Sequence, residues 1–167
     1  MRGKLTLALF CAGNIAIAGN VRAQESGIAV GSSAPVVSVR DLDGNIVDLG
    51  QYIGKKPMLL EFWATWCELC EELLPRIRGA QVAYGSAVEF IGINVTVNQT
   101  PTRVRRYLQE HKPPFRTLYD DGGVSIRAYQ VPATSYVVIV DHAGKVVYTG
   151  SGGTQDLDTP LRRVTKK

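Results

Sequence analysis

Residues Pro57 to Cys70 constrain this chain more than any other stretch. Met58-Leu59-Leu60-Glu61-Phe62-Trp63 is an apolar run broken only by Glu61, the pattern of a strand covered on both faces. Thr65-Trp66-Cys67-Glu68 has the Thr-x-x-Glu spacing of a capping box, which predicts a helix start. Leu69, Leu73, Ile77, Ala80 and Tyr84 recur at helical spacing and mark the face that helix should bury. Cys67 and Cys70 therefore fall in the first turn of a helix that follows a buried strand. Unpaired N–H groups and the helix dipole stabilise a thiolate at such a position and lower the pKa of the first cysteine. The pattern is that of a redox site.

Other uses of a C-x-x-C pair fit less well. A zinc site lacks its second pair of Cys or His ligands, and a c-type haem would need His where Glu71 stands. A purely structural bridge across two residues closes a very short loop and constrains the unfolded chain little.

The 167 residues, 45% hydrophobic and 20% charged, suffice for one domain with a real core. The first segment is set apart from it. Arg2 and Lys4 precede an apolar run from Leu5 to Phe10 that continues less purely to Ile17, and small residues at cleavage spacing follow at Ala16–Ala18 and Val21–Ala23. Residues 1–23 read as a signal peptide cleaved after Ala23, too short and interrupted for a good membrane span. Phe10 is too bulky before Cys11 for a lipoprotein signal. Loss of Arg2, Lys4 and Arg22 takes the formal charge from +4 to +1, so the basic balance does not point to nucleic acid or a membrane surface. Of the 3 cysteines only Cys67 and Cys70 then remain, in an exported chain, which favours chemistry over scaffolding.

Residues 24–35 are small and polar and read as a flexible leader to a domain spanning 36–167. Val36–Val39 and Asn45–Val47 flank the turn signal Asp41-Leu42-Asp43-Gly44 as a hairpin. Val88–Asn94 is a second core strand, and Pro101–His111 a helix with Val104, Tyr107 and Leu108 inward, ended by Pro113-Pro114. Arg103, Arg105, Arg106 and Lys112 near it read as a solvated face. A short helical run, Val124–Tyr129, precedes a hairpin of Ser135–Val140 and Lys145–Thr149, and Asp156–Val164 closes the chain as a helix.

Phe62-Trp63-Ala64-Thr65-Trp66-Cys67-x-x-Cys70, with Pro75 five places on, resembles the thioredoxin superfamily, specifically its TlpA/ResA-like exported branch. The strand–helix–strand order followed by a hairpin and helix agrees. The resemblance runs back to about Pro35 and implies an α/β thioredoxin fold: a central mixed sheet flanked by helices, with the N-terminal β-hairpin extending the sheet edge. Thr117–Asp120 and Val124–Tyr129 resemble the family's insert before its final hairpin.

The implied activity is thiol:disulfide exchange with protein thiols, without a cofactor. Cys67 attacks by its helix-start position and Cys70 resolves. Glu61 stands where thioredoxins carry a buried carboxylate. In an apolar strand its pKa should rise, and it could relay the Cys70 proton; alternatively it reaches solvent or pairs with Lys55 or Lys56. Glu68 between the cysteines matches many members of the branch; its simplest role is the capping-box partner of Thr65, with tuning of the Cys67 thiolate second, while Trp63 and Trp66 suggest an apolar platform around the disulfide.

Three positions depart from the family. Leu69 replaces a proline common between the cysteines, and Leu73 stands where some members carry a glutamate. Ser135 falls at the position of the cis-proline that faces the disulfide. Either Pro132, three residues earlier, takes that role, or Ser135 keeps the place in a cis or trans loop and offers its hydroxyl and N–H to the Cys67 thiolate. The resemblance implies a membrane or periplasmic electron donor and substrates such as apocytochrome c or copper-site proteins; the expected state is a monomer. The competing reading is a binding module for Cu(I) or Zn(II) on the same cysteines, with only His111 and His142 available as nitrogen ligands. The Pro-x-x-x-Thr-x-x-Cys pattern of a peroxidase is absent before Cys67.

Overall fold

A computed structural model describes residues 27–166. The expected signal peptide, with Cys11, and residues 24–26 of the expected leader lie outside the described residues.

Seven strands form one mixed sheet. In chain order they are β1 (Ser38–Arg40), β2 (Ile46–Asp48), β3 (Met58–Trp63), β4 (Glu89–Val95), β5 (Arg116–Asp120), β6 (Tyr136–Val140) and β7 (Val146–Ser151). Their spatial order is β2-β1-β5-β4-β3-β6-β7. The helices are α1 (Glu68–Tyr84), α2 (Pro101–His111), α3 (Val124–Ala128) and α4 (Asp158–Thr165). This is the expected thioredoxin fold, with the β1–β2 hairpin at the sheet edge.

β3 is central, parallel to β4 and antiparallel to β6. All six of its residues are buried, which is why its sequence is continuously apolar rather than alternating. Met58, Leu60 and Phe62 point to one face, into a core with Leu49, Tyr129, Tyr136 and Ile91. Leu59 points to the other, against Leu73 and Ile77 of α1 and Leu161 of α4. Trp63 shares that second face with Cys67, Cys70 and Tyr107 of α2. The redox helix thus lies over the face of β3 that carries Leu59, Glu61 and Trp63.

Two details of the strands and helices differ from the sequence reading. Arg116–Asp120 is a sheet strand paired in parallel with β4, although its burial is too uneven to give a clear sequence signal. Leu69 is half exposed and Cys70 takes the inward place in the first turn of α1. Burial further along α1 follows Leu73, Ile77 and Ala80 as expected.

Residues 27–35, read as a flexible leader, are packed against the domain. Ile28 and Ala34 are buried in the first core, the Gly31 N–H donates to the Val146 carbonyl at 2.7 Å, and Ser33 bridges to Lys145. Their small, polar sequence hides this because backbone groups make most of the attachments. Ile28→Ala is therefore expected to cost roughly 2–4 kcal/mol of stability, as for a core truncation. Urea unfolding of the two proteins measures it; a change below about 0.5 kcal/mol, the level of a surface substitution, would return this segment to a loose leader.

Candidate active site

α1 begins two residues later than the capping-box reading implies. Cys67 itself is the N-cap, in an extended conformation, and its sulfur accepts the Cys70 N–H at 3.1 Å. The Thr65–Glu68 box does not form. The Thr65 N–H instead donates to the Gln99 side chain at 3.1 Å, and Glu68 is exposed in the first turn, where its charge complements the helix dipole.

Cys67 and Cys70 are joined as a disulfide with their Cα atoms 5.2 Å apart. The two residues are 5% and 4% exposed, so little more than an edge of the bridge meets solvent. Beneath it Trp63 is buried, its ring 5.1 Å from Tyr107 and 5.8 Å from Phe115. Trp66, beside it, is 48% exposed. The expected platform therefore divides: Trp63 is core under the sulfurs, and Trp66 is a surface feature fixed by its indole N–H to the Val97 carbonyl at 2.9 Å. A cleft of about 330 Å³ adjoins Trp66, lined by Glu71, Arg103, Arg106 and Tyr107 among others. The cationic cluster on α2 is otherwise a solvated face, with Arg105 paired to Asp43 at 2.6 Å.

Glu61 is buried, 2% exposed, on β3 between Leu59 and Trp63. Those neighbours pack under Leu73 and under the cysteines respectively, which puts its carboxyl beneath the first two turns of α1. Its strand neighbour is Gly92, where a methyl group would come within 2.3 Å of the Phe115 ring. The missing side chain lets Phe115 lie across the sheet and close the site from that side. Pairing with Lys56 does not occur, since Lys56 pairs with Glu89 at 2.8 Å. Burial alone pushes the Glu61 pKa up to about 8. The nearby Tyr107 hydroxyl is pushed up to about 12, by burial first and then by the charges of Glu71 and Glu61.

Ser135 is buried at the start of β6 with φ +59°. Its hydroxyl lies 3.2 Å from the Leu69 carbonyl and 3.1 Å from the Gly152 carbonyl. The residue faces the redox turn as the sequence suggests, but its acceptor there is a backbone carbonyl rather than the Cys67 sulfur. Pro132 is exposed, and no peptide bond among the described residues is cis. Proline, fixed near φ −65°, cannot adopt the Ser135 backbone.

Three site residues escape sequence reading. Gln99 holds Thr65, and the Asn94 side-chain amide lies 3.4 Å from both the Trp63 carbonyl and the Gln99 side-chain oxygen. Gln155 holds the Ser135 carbonyl at 3.0 Å. Asn94, a polar residue inside a buried strand, carries the same signal as Glu61; the two glutamines lie in polar loops and carry none. The histidines do not join the cysteines: the His111 ring lies tilted against Tyr107 at 4.0 Å and His142 occupies the β6–β7 turn. Among the described residues no group of three or more His, Cys, Asp or Glu side chains is arranged to hold a metal ion.

The raised Glu61 pKa makes stability depend on pH. The folded protein keeps this proton to about pH 8, whereas the unfolded chain releases it near 4.5. Stability therefore falls as pH rises through that window and levels off above it, a loss of roughly 3 kcal/mol by pH 7. Urea unfolding from pH 4.5 to 9 should show the slope in the wild type and a flatter profile in Glu61→Gln. Parallel profiles would mean that Glu61 ionises in the folded state as it does in water.

The Redoxin family profile matches residues 29–161. Thiol-disulfide oxidoreductase ResA of Geobacillus thermodenitrificans is 29% identical over 167 residues, covering 98% of this chain and 94% of that protein. Thioredoxin-like protein YneN of Bacillus subtilis is 28% identical over 141 residues, 83% of this chain and 82% of that one. Among solved structures, the thioredoxin domain of a thiol-disulfide oxidoreductase from Bacteroides vulgatus superposes with a TM-score of 0.71 at 24% identity. That match covers 83% of this chain and 99% of the other. With the profile spanning most of the chain and the C-x-x-C helix, buried carboxyl and sheet order in place, the chain belongs to the Redoxin family, in the ResA-like branch of the thioredoxin superfamily.

Proposed function

We infer that the protein is a thiol:disulfide oxidoreductase that exchanges the Cys67–Cys70 disulfide with cysteines of other proteins. The observation that carries this reading is the Cys67 sulfur at the N-cap of α1, accepting the Cys70 N–H at 3.1 Å. A donor aimed at the sulfur favours its charged form, so the reduced protein presents Cys67 as the thiolate.

In the reducing direction the Cys67 thiolate attacks a partner disulfide, forming a mixed disulfide and releasing one partner sulfur as thiolate. Cys70 then loses its proton and attacks the Cys67 sulfur. The internal disulfide forms and the second partner thiolate leaves. Glu61 is mostly protonated below about pH 8, and its ionised fraction, which grows as the pH approaches that value, can take up the Cys70 proton. In the oxidising direction every step reverses and Glu61 returns the proton. Trp66 and Leu69, each about half exposed, border the sulfurs as an apolar contact surface for the partner.

The reading extends to location and partners. The N-terminal sequence pattern supports export by a cleaved signal peptide, and the relatives named thiol-disulfide oxidoreductase support protein thiols as the substrates; a membrane or periplasmic electron donor completes the cycle in this reading. The monomer acts on extended, cysteine-bearing partners, with apocytochrome c and copper-site proteins as the first to test.

Cys70→Ala should trap mixed disulfides and Cys67→Ala should not; non-reducing electrophoresis after mixing with a disulfide-bonded protein reads this, and trapping by Cys67→Ala would reverse the roles. Glu61→Gln should slow resolution roughly 10–100-fold near pH 7, the range for loss of a general base. An unchanged pH–rate profile would limit Glu61 to a structural role.

A further inference from the structure

Ser135 adopts a backbone that non-glycine residues seldom use, at φ +59° and with no exposed surface. Such a conformation persists where its surroundings over-determine it. Here its carbonyl accepts the Gln155 side-chain amide at 3.0 Å and the Gly152 N–H at 3.1 Å. Gln155 is in turn fixed by donating to the Gly152 carbonyl at 2.7 Å and lying 3.3 Å from the Tyr148 hydroxyl. The result is a rigid post with one mobile element, the Ser135 hydroxyl. That hydroxyl is shared between the carbonyls of Gly152 and Leu69. Leu69 is one of the two residues between the sulfurs, so the β6–β7 end of the sheet is tied to the turn that must close for the disulfide to form.

We propose that Ser135 is a positioning residue for ring closure, holding the Cys67–Cys70 turn through the Leu69 carbonyl so that the Cys70 sulfur stays within reach of Cys67. The step it assists is the attack of the Cys70 thiolate on the Cys67 sulfur of a mixed disulfide. One S–S bond forms, one breaks, and the partner leaves as a thiolate that carries the electron pair. The role rests on the exchange reading above and concerns the protein's own couple, not the identity of its partner. Holding the turn raises the effective concentration of one sulfur at the other. Loss of the tie should therefore favour the dithiol and make the potential less negative.

Ser135→Gly separates the hydroxyl from the backbone, because glycine accepts a positive φ without strain. Equilibration with glutathione buffers should give an effective concentration about tenfold lower than wild type, the scale of one hydrogen bond. That fold-change corresponds to a potential about 30 mV less negative. Release of glutathione from the Cys67 mixed disulfide should slow to a similar extent. Titration of the Cys67 thiolate in the Cys70→Ala background should be the same with and without Ser135→Gly, since the hydroxyl acts on a carbonyl and not on sulfur. Ser135→Ala should match Ser135→Gly in potential and differ from it only in stability.

A wild-type potential in Ser135→Gly would overturn the proposal, as would a Cys67 pKa shift large enough to account for the whole change. A shift in Ser135→Ala alone would assign the effect to backbone strain and also overturn it. A wild-type protein whose cysteines do not equilibrate with glutathione at all would remove the exchange reading itself, and is seen before any variant is compared.

Discussion

The hydrogen bond from the Cys70 N–H to the Cys67 sulfur is the interaction on which the site depends. A helix start leaves N–H groups without partners, and an oxygen-bearing residue usually satisfies one of them. Here the Cys70 N–H is shared between the Cys67 carbonyl and the Cys67 sulfur, both at 3.1 Å, which makes the reactive atom part of the helix cap. In the oxidised protein the contact closes the first turn of α1. After reduction the same donor faces a thiolate, where a charge-assisted bond is stronger. One backbone group thus serves folding in one redox state and reactivity in the other.

That cap can act only because the strand before it is fixed. β3 lies inside the sheet, paired on both sides and covered on both faces, so the chain leaves it at Trp63 in a defined direction. The loop after β4 then grips the connection: Gln99 holds the Thr65 N–H and the Val97 carbonyl holds the Trp66 indole. Glu61 is the cost of this arrangement. A carboxyl in a fully buried strand favours its neutral form and weakens the fold as pH rises. An apolar residue there would pack without that penalty, and the acceptor proposed for the Cys70 proton would be lost.

The strand–helix core is legible because periodicity and burial coincide in it. The apolar run of β3, the Leu73–Ile77–Ala80 stripe of α1 and the paired cysteines all follow from side chains that have one energetically acceptable place. Glu61 stands out by the same logic, as a charge where none should be. Reading fails where backbone groups make the attachments. The 27–35 segment is held mainly through N–H and C=O groups, which every sequence possesses. β5 is half covered and its pattern is mixed. The cap pair of Thr65 and Glu68 matches a motif, but Thr65 is claimed by Gln99, 34 residues away.

By itself, then, the sequence determined a C-x-x-C pair at a helix start behind a buried strand, and a carboxyl within that strand whose burial or pairing with Lys55 or Lys56 it left open. These are local consequences of hydrophobic patterning, and short-range geometry suffices to state them. Tertiary structure alone decided which atoms meet at the site. It placed Ser135 against Leu69, 66 residues apart in the chain, and set its hydroxyl on a carbonyl instead of a sulfur. It gave Gln99 and Gln155 their roles as braces. Hydrogen bonds between distant loops leave no periodic trace, because each needs only one donor and one acceptor brought together by the packing of everything between them.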